Sequence, residues 1–509
     1  MRTIDTDVLV VGSGFGAAAV ARRLAEAGAA VTLVEKGPRV GPGDFRQTQD
    51  PRYITRYLKG VSGDHLHLTF AEALGGGSGF YEMVSLRAPS LAFDQVDGVG
   101  RRLWPATLNR QALDPWYDLA ERELGVNQIP ESEVPKSGLV FSLLLRQLGY
   151  SCERARYAVR NCLGSGFCIT GCIYGAKQSL HLNYLPGAEA AGAIVECDRE
   201  VVAVVPIRDV PPRDGPLGRV PHRYLVETRS RAGAAPVRYR ARIVVLGGGT
   251  VGTAALLLRS RTHLPRLSPH VGRNLAVNGG VKVVGLLADG LPDGDMFAGR
   301  SHPGMISYEF LESHRLTLSA VKALPLQIVT AARLRLDGDD EHAWWGEDHA
   351  KLMARFRNRA LAIASFGLTP PGGEVRLDRA GRVTVSLDPT PALQGHLRGA
   401  RQLIEQILTR NRCRVLRADW IDRSGVPHEG TFLSTAHQTG TARMADRRED
   451  GVTDPAGEVF GYPGLFVSDG AAIPTSLAVN TSLTILANAE RIAAAILARH
   501  GLAHRELVA

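Results

Sequence analysis

The run Asp7-Val-Leu-Val-Val11-Gly12-Ser13-Gly14-Phe15-Gly16-Ala17 decides how this chain begins to fold. Its first five residues are an apolar stretch of strand length, ended at once by a Gly-rich turn. Beyond the turn, Ala17, Ala21, Leu24 and Gly28 recur at helical spacing, and Gly28 stops the helix. A second strand, Ala30–Val34, ends at Glu35. Strand, Gly-x-Gly-x-x-Ala turn, helix and strand make a βαβ unit of the kind that cradles a dinucleotide. Gly12 makes the tight turn, and Gly14 lets the backbone approach a pyrophosphate seated on the helix N-terminus. Glu35 follows at about the 20-residue spacing expected of a carboxylate that binds ribose hydroxyls. Its charge argues against a phosphorylated ribose.

Length and composition narrow the class further. A chain of 509 residues exceeds one hydrophobic core, so at least two domains are expected. With 44% hydrophobic and 22% charged residues it reads as globular, not disordered. The formal charge is +9, but the arginines are scattered without interleaved aromatics. That argues for a solvated surface and against a nucleic-acid partner. No stretch reaches the roughly 18 apolar residues of a membrane span, and Arg22, Arg23 and Glu26 break the most apolar opening run. No export signal is evident and six cysteines make no disulfide scaffold, so a cytoplasmic protein with reduced thiols is expected.

A second Gly-rich run, Gly247-Gly248-Gly249-Thr-Val-Gly252, follows the strand-like Ile243–Leu246 and raises the prospect of a separate nicotinamide domain. A true second unit needs another strand ending in an acid or arginine about 20 residues on. Arg261-Thr-His-Leu-Pro-Arg-Leu-Ser-Pro269 is polar and Pro-broken instead, which removes that reading. The C-terminal quarter offers Tyr462–Gly470, a turn and short strand ending in Asp469. A helix with Ile485, Ala489, Ile492 and Ile496 on one face comes next. Its N-terminus, returned to the opening fold, would stabilise negative charge on a reduced flavin.

In that order, these segments resemble the glucose–methanol–choline (GMC) oxidoreductase family, flavoenzymes that oxidise alcohols with FAD. The resemblance runs through the opening fingerprint, Leu74-Gly-Gly-Gly-Ser78, Trp104-Pro, Trp116-Tyr117, Leu124-Gly125-Val126, Ile243–Leu258 and Val271-Gly-Arg-Asn-Leu275. It ends at His437-Gln-Thr-Gly-Thr441-Ala-Arg-Met444 and Asn480-Thr-Ser-Leu-Thr484. Gly175-Ala-Lys-Gln-Ser and Asn183-Tyr-Leu-Pro are similar to the bacterial cholesterol-oxidase-like branch. The His437 motif is closer to sugar-oxidising, pyranose-oxidase-like members.

The resemblance implies an α/β fold. A discontinuous Rossmann-like FAD-binding domain would span about 1–95, 160–280 and 430–509. A cap segment would cover 96–159, and 281–429 would form an α+β substrate domain on an antiparallel sheet. Within 281–429, Val375–Leu377 and Val383–Leu387 alternate as strands and Leu393–Leu408 reads as a helix. Pro-rich Val210–Pro221 reads as an exposed hairpin loop.

It also implies roles. Cofactor contacts fall on Gly12, Gly14, Phe15, Gly16, Glu35 and Lys36, and on Gly76, Gly77 and Ser78 of the flavin loop. Val201, Gly248, Asp469 (toward the ribityl or phosphate region), Gly470, Thr481 and Ser482 complete them. His437 is the expected base and Asn480, which cannot titrate, orients the substrate oxygen. Tyr81 stands where the family often has Asn. Gly79-Phe80-Tyr81 contains no His for covalent attachment, and His65 and His67 read as ordinary loop residues, so FAD is expected to bind non-covalently.

The expected activity is oxidation of a secondary hydroxyl on a cyclic substrate to a ketone, by hydride transfer to flavin N5. A sugar or glycoside, a sterol and a cyclic natural product remain open as substrates, and oxygen or another acceptor would take the electrons. Cys162-x5-Cys168-x3-Cys172 admits an alternative, an electron-transferring dehydrogenase with an iron–sulfur cluster, against packed reduced thiols. A fourth ligand is not evident, and no metal site is expected. A non-redox lyase on the same fold is the further alternative.

Overall fold

The computed structural model of the chain describes residues 2–210, 217, 220–233, 235–322, 333–336, 346–421, 427–428 and 433–502. The opening strand runs Arg2–Val11 and pairs in parallel with Val31–Val34 on one side and Val237–Leu246 on the other. Ile194–Glu196 extends the parallel layer beyond Val31–Val34, and Leu465–Val467 joins the far end of Val237–Leu246. The near end of Val237–Leu246 instead carries His222–Ser230 and Arg199–Val210 as an antiparallel meander, completing a seven-stranded sheet.

The helix Phe15–Glu26 covers this sheet with Ala17, Ala18, Ala19, Val20, Ala21 and Leu24, all fully buried. An alanine face lets the sheet below and the C-terminal helix Ser482–Arg499 beside it approach closely. A buried ion cluster fixes that contact. Glu490 accepts from Arg23 Nε and Nη2 at 2.8 and 2.9 Å and from Tyr184 Oη at 2.7 Å.

The second layer is an eight-stranded antiparallel sheet. Its centre places Lys282–Leu286 beside Ala360–Gly367, which pairs in turn with Leu316–Val321. Met305–Ser307 and Glu153–Arg154 continue one side, and Arg414–Ile421 and Arg333–Leu336 the other. One face presents Leu361, Ile363, Leu318 and Ala320 to Leu403, Ile404, Ile407 and Leu408 of the helix Pro391–Arg410. The opposite face turns toward the first domain.

Two expectations need correction. The alternating runs form a hairpin, Gly373–Leu377 with Val383–Leu387, that stands apart from the large sheet. Backbone carbonyls of Gly272 and Leu275 accept its N–H groups at 2.7 and 2.9 Å, and Val375 and Val385 pack on Val251 and Ala254. Its partner is therefore the first domain. The loop Val210–Pro221 does join two antiparallel strands, Arg199–Val210 and His222–Ser230, but most of it lies outside the described residues, and Leu217 within it is buried rather than exposed, its carbonyl accepting from Arg242 Nη1 at 2.9 Å. No described helix is long and apolar enough to cross a membrane.

Candidate active site

The first turn builds a cradle. Gly12 has φ +91°, and a Cβ there would meet the Gly247 carbonyl at 2.4 Å. Gly14 precedes the helix Phe15–Glu26 in extended conformation, and a Cβ on it would meet nothing within 4 Å. Gly16 lies so close to the Asp469 backbone that a Cβ would sit 2.5 Å from its Cα. The Gly-rich loop crosses the same helix end: Gly76 (φ +54°) would bring a Cβ to 3.0 Å from Gly14 Cα, while Gly77 faces open space. The first-turn amides of such a helix have no intrahelical acceptor and form an anion seat.

Glu35 is 6% exposed. It accepts from Ser13 Oγ at 2.6 Å and from Gly37 N at 2.7 Å, leaving lone pairs for further donors. Burial pushes its carboxyl up to about 7. Ser13 Oγ also accepts from Gly75 N at 2.9 Å, so this hydroxyl ties the acid to the Gly-rich loop.

The other expected cofactor residues divide into those facing the cradle and those supporting it. Phe15 meets Tyr81 edge-on at 5.5 Å. Ser78 turns inward: its hydroxyl donates to the Gly75 carbonyl at 2.7 Å and accepts from Leu180 N at 3.1 Å. Ser78 thus staples the loop, and its side chain is spent within the protein. Lys36 points away to pair with Glu72 at 2.5 Å, and Val201 is buried in the strand Arg199–Val210. Asp469 Oδ2 accepts from Gly249 N at 2.7 Å and Thr253 Oγ1 at 2.5 Å, and Oδ1 from Ala471 N at 2.8 Å. One lone pair remains on this carboxylate, which burial pushes up to about 6. Asp469 caps the helix Gly249–Arg259, and Gly248 N donates to Thr253 Oγ1 at 3.1 Å. The second Gly-rich run is therefore closed by a protein carboxylate.

Gly470 packs against Thr250, where a Cβ would come within 2.7 Å of Oγ1. Thr481 precedes the helix Ser482–Arg499, and the buried Ser482 Oγ at its first residue has no partner among the described residues. An open space at Gly14 and Gly77, a helix end aimed at it, Glu35 with spare acceptors and an unpartnered Ser482 hydroxyl fit a bound FAD. Sequence reasoning passed over His181, whose buried Nδ1 has no partner among the described residues and would lie 3.6 Å from a Cβ on Gly75. Burial holds it down to about 4, so it is neutral. A lone His in Leu-His-Leu carries no motif that would reveal it.

His437 and Asn480 come together. Asn480 Nδ2 lies 3.2 Å from His437 Nε2, and Phe366 tilts against the imidazole with ring centroids 5.7 Å apart. Burial, reinforced by Lys282, pulls His437 down to about 4. On its other side stands a residue without a motif, Asn278. Its Nδ2 donates to the Val479 carbonyl at 2.7 Å and lies 3.4 Å from His437 Nδ1, and its Oδ1 accepts from Leu477 N at 3.1 Å. Thr317 Oγ1 donates to the Ala478 carbonyl at 2.6 Å, and Ser476 Oγ accepts from Thr369 N at 2.8 Å. The loop that presents Asn480 is thereby pinned by Asn278 on one side and by Thr317 and Thr369 on the other.

The cysteine run does not converge: among the described residues, no three His, Cys, Asp or Glu side chains are placed to share a metal ion. All six cysteines are free thiols. Cys168 instead offers its carbonyl, at 2.7 Å, to Lys177 Nζ, which also donates to the carbonyls of Gly79 at 2.6 Å and Tyr81 at 3.2 Å. This buried ammonium, pulled down to about 8 by burial, clamps the flavin loop to the cysteine segment. The iron–sulfur alternative loses its ligand set.

Two GMC oxidoreductase family models match the chain, over residues 6–278 and 373–489. A cholesterol oxidase of Mycobacterium tuberculosis is 28% identical, the match covering 96% of this chain and 90% of that protein. A long-chain-alcohol oxidase of Arabidopsis thaliana is 24% identical, covering 96% and 67%. The structure of a formate oxidase from Aspergillus oryzae RIB40, studied for FAD modification, superposes with a TM-score of 0.69. That pair is 16% identical and covers 98% of this chain and 99% of the other, a likeness of fold. With the paired His437 and Asn480 beside a dinucleotide cradle, the chain belongs to the GMC oxidoreductase family, FAD enzymes that act on alcohols.

Proposed function

We propose that this protein oxidises a secondary hydroxyl on a cyclic substrate to a ketone, with His437 as base and Asn480 orienting the oxygen. The contact that carries this reading is the 3.2 Å approach of Asn480 Nδ2 to His437 Nε2. A substrate oxygen seated beside both, within hydrogen-bond reach of each, meets a proton acceptor and an amide donor. FAD, bound non-covalently, supplies the hydride acceptor at flavin N5. Its residues here are Gly12, Gly14, Phe15, Gly16 and Glu35 at the pyrophosphate and ribose end, and Gly76, Gly77, Gly470, Thr481 and Ser482 beyond. Held near 4, His437 is neutral at pH 7 and free to take the hydroxyl proton. The pinned loop keeps Asn480 in place before substrate arrives, so little reorganisation is left for the reaction. Oxygen or another acceptor then takes the electrons, and a cytoplasmic setting that keeps the thiols reduced belongs to the same reading.

One observation favours a second role for His437. The Asn278 amide, oriented by Leu477 and Val479, presents its NH2 to Nδ1. That supports a lone pair on Nδ1 and the proton on Nε2, with the Asn480 amide turned so that Oδ1 rather than Nδ2 faces Nε2, which makes the resting imidazole a donor to the substrate oxygen. Two variants separate the roles in anaerobic flavin reduction. As base, His437→Gln and His437→Ala are both inactive with FAD still bound. As donor, His437→Gln retains measurable reduction and His437→Ala does not. Undiminished reduction by His437→Ala refutes both. Flavin released to the supernatant on heat denaturation tests non-covalent binding.

A further inference from the structure

The face of the antiparallel sheet turned toward His437 is apolar over Val284, Ala362 and Val321 but carries polar side chains at the end beside Phe366. Lys282 pairs opposite Ala364, Ala364 opposite Ser319, and Phe366 opposite Thr317. Directly opposed residues, and residues two apart on a strand, share a face. Lys282, Ser319, Thr317 and Phe366 therefore stand on one side, and Phe366 touches the His437 ring. Thr317 and Ser319 are already bonded within the protein. Lys282 is exposed and makes no ion pair among the described residues. Glu82 approaches from the other domain. It follows the flavin loop directly, next to Tyr81, which packs on Phe15. Met83 behind it holds φ +54°, so the chain turns sharply at this point.

Glu82 is half-buried, yet its carboxylate has no hydrogen-bond or ion-pair partner among the described residues. The charges that act on it are Lys282, Lys177 and Lys322, and Lys282 acts also on His437. Lys177 is committed to three carbonyls and Lys322 to the carbonyls of Ala298 and Gly299. Lys282, whose charge reaches both His437 and Glu82, thus links the two: a carboxylate and an ammonium, neither with a protein hydrogen-bond or ion-pair partner among the described residues, face each other on the His437 side of the sheet.

We infer that Glu82 and Lys282 bind hydroxyl groups of the substrate other than the one oxidised, so that the substrate is a polyhydroxylated ring, of the sugar or cyclitol class. This rests on the alcohol-oxidising reading of His437 and Asn480 and chooses among its cyclic substrates. A sterol laid across the site would cover Glu82 and Lys282 with hydrocarbon and leave both charges unpaired, an arrangement sites select strongly against. A polyol gives Glu82 a donor and Lys282 an acceptor.

The test uses the FAD-loaded protein under anaerobic conditions, with myo-inositol, methyl β-D-glucopyranoside, cyclohexanol and cholesterol as probes and the flavin absorbance as readout. The expected result is reduction by at least one of the two polyols at lower concentration than by cyclohexanol or cholesterol. Glu82→Gln then raises KM for that polyol about 10- to 100-fold, the range for losing a hydrogen bond to a charged group, with a smaller change in kcat. Lys282→Met, an exposed position, gives a second KM effect independent of folding. The visible difference spectrum that the polyol's ketone produces on oxidised flavin weakens in parallel in both variants. Reduction by cholesterol or cyclohexanol but by neither polyol overturns the inference and leaves the alcohol reading standing. Unchanged KM in both variants does the same. Reduction by no probe overturns both.

Discussion

Replacing Asn278 tests how much of the hold on the loop before Asn480 this side chain carries. In Asn278→Ala the N–H of Leu477 and the carbonyl of Val479, both at fully buried residues, lose their partners. Each orphaned group costs about 1–3 kcal/mol, so the variant should be about 2–6 kcal/mol less stable. Asn278→Asp is the sharper probe. It keeps the acceptor for Leu477 N, loses the donor to Val479 and puts a carboxylate about 3.4 Å from His437 Nδ1. At an effective dielectric constant of about 20, that pair attracts by about 5 kcal/mol. Moving His437 from about 4 past its ordinary 6.5 takes about 3–4 kcal/mol, so the imidazole should be protonated near neutral pH. Wild-type flavin reduction should be nearly flat from pH 5.5 to 8, because His437 is neutral throughout. In Asn278→Asp, with His437 as base, the rate should rise with pH across that interval. Anaerobic stopped-flow traces of the flavin band at each pH give the profile. A flat Asn278→Asp profile, with FAD content and unfolding midpoint near wild type, would refute the coupling of Asn278 to His437.

Packing and charge elsewhere in the molecule set three further expectations. Gly14→Ala adds a methyl where the protein leaves open space and φ is −71°, so unfolding of the FAD-free chain should barely change. FAD affinity, read by flavin fluorescence titration, should fall at least about tenfold as the methyl enters the cradle; unaltered affinity would place the pyrophosphate elsewhere. Glu490→Ala leaves Arg23, 1% exposed, with Glu26 at 2.9 Å and Glu123 at 3.2 Å only, and should lose about 3–5 kcal/mol in urea. Tyr184→Phe should cost far less, since it removes one donor and strands no charge. His181, His302 and His437 are all pushed down by burial to about 4 from 6.5, so the unfolded chain binds more protons between those values. Their contribution to stability is lost as pH falls from 6.5 toward 4. Glu35, raised to about 7, works the other way, losing its contribution as pH rises from 4.5 through 7. His302→Gln, keeping bonds toward Tyr157 and Ser319, should flatten the acid limb of the unfolding midpoint; an equally steep limb would count against this assignment.

What the sequence made legible was local. The strand read at Asp7–Val11, the Gly-rich turn and the helix read as stopping at Gly28 each follow from a handful of neighbouring residues, and they appear with wider or tighter ends, as Arg2–Val11 and Phe15–Glu26. His437 and Asn480 were reached through motifs that fix them in order along the chain, and the fold brings them within hydrogen-bond distance. Direction and partnership were not legible. A motif names Ser78 but not the way its hydroxyl points, and the structure spends it on Gly75 and Leu180. Alternation at Val375–Leu377 marks a strand without naming its neighbour, because pairing depends on which backbone edge lies free. Cysteine spacing at 162, 168 and 172 counts residues along a loop, while ligation needs convergence in space. Asn278 sits 159 residues from His437 and works mainly through backbone groups of another segment, so no local pattern announces it.

The arrangement around Asn480 explains why the functional residues are spread so widely. Ala478 holds φ +54°, a left-handed conformation that is unfavourable for a residue with a Cβ, by about 1–2 kcal/mol. Nothing within residues 476–480 compensates for it. The compensation comes from Asn278, Thr317 and Thr369, each on a different segment, which satisfy the loop's backbone and Ser476. At about 1 kcal/mol per net hydrogen bond, the bonds at Leu477, Ala478, Val479 and Ser476 outweigh the strain. Asn278 supplies two of these bonds, and Thr317 on the antiparallel sheet and Thr369 just beyond it add the others, so the strained loop gains stability where that sheet meets the cradle. Thr317 lies on that sheet, on the same face as Phe366 and Lys282. The contact between the two sheets thus gathers the loop before Asn480, the His437 and Asn480 pair and the sheet edge carrying Thr317, Ser319 and Lys282. A site assembled this way places its amide before substrate arrives.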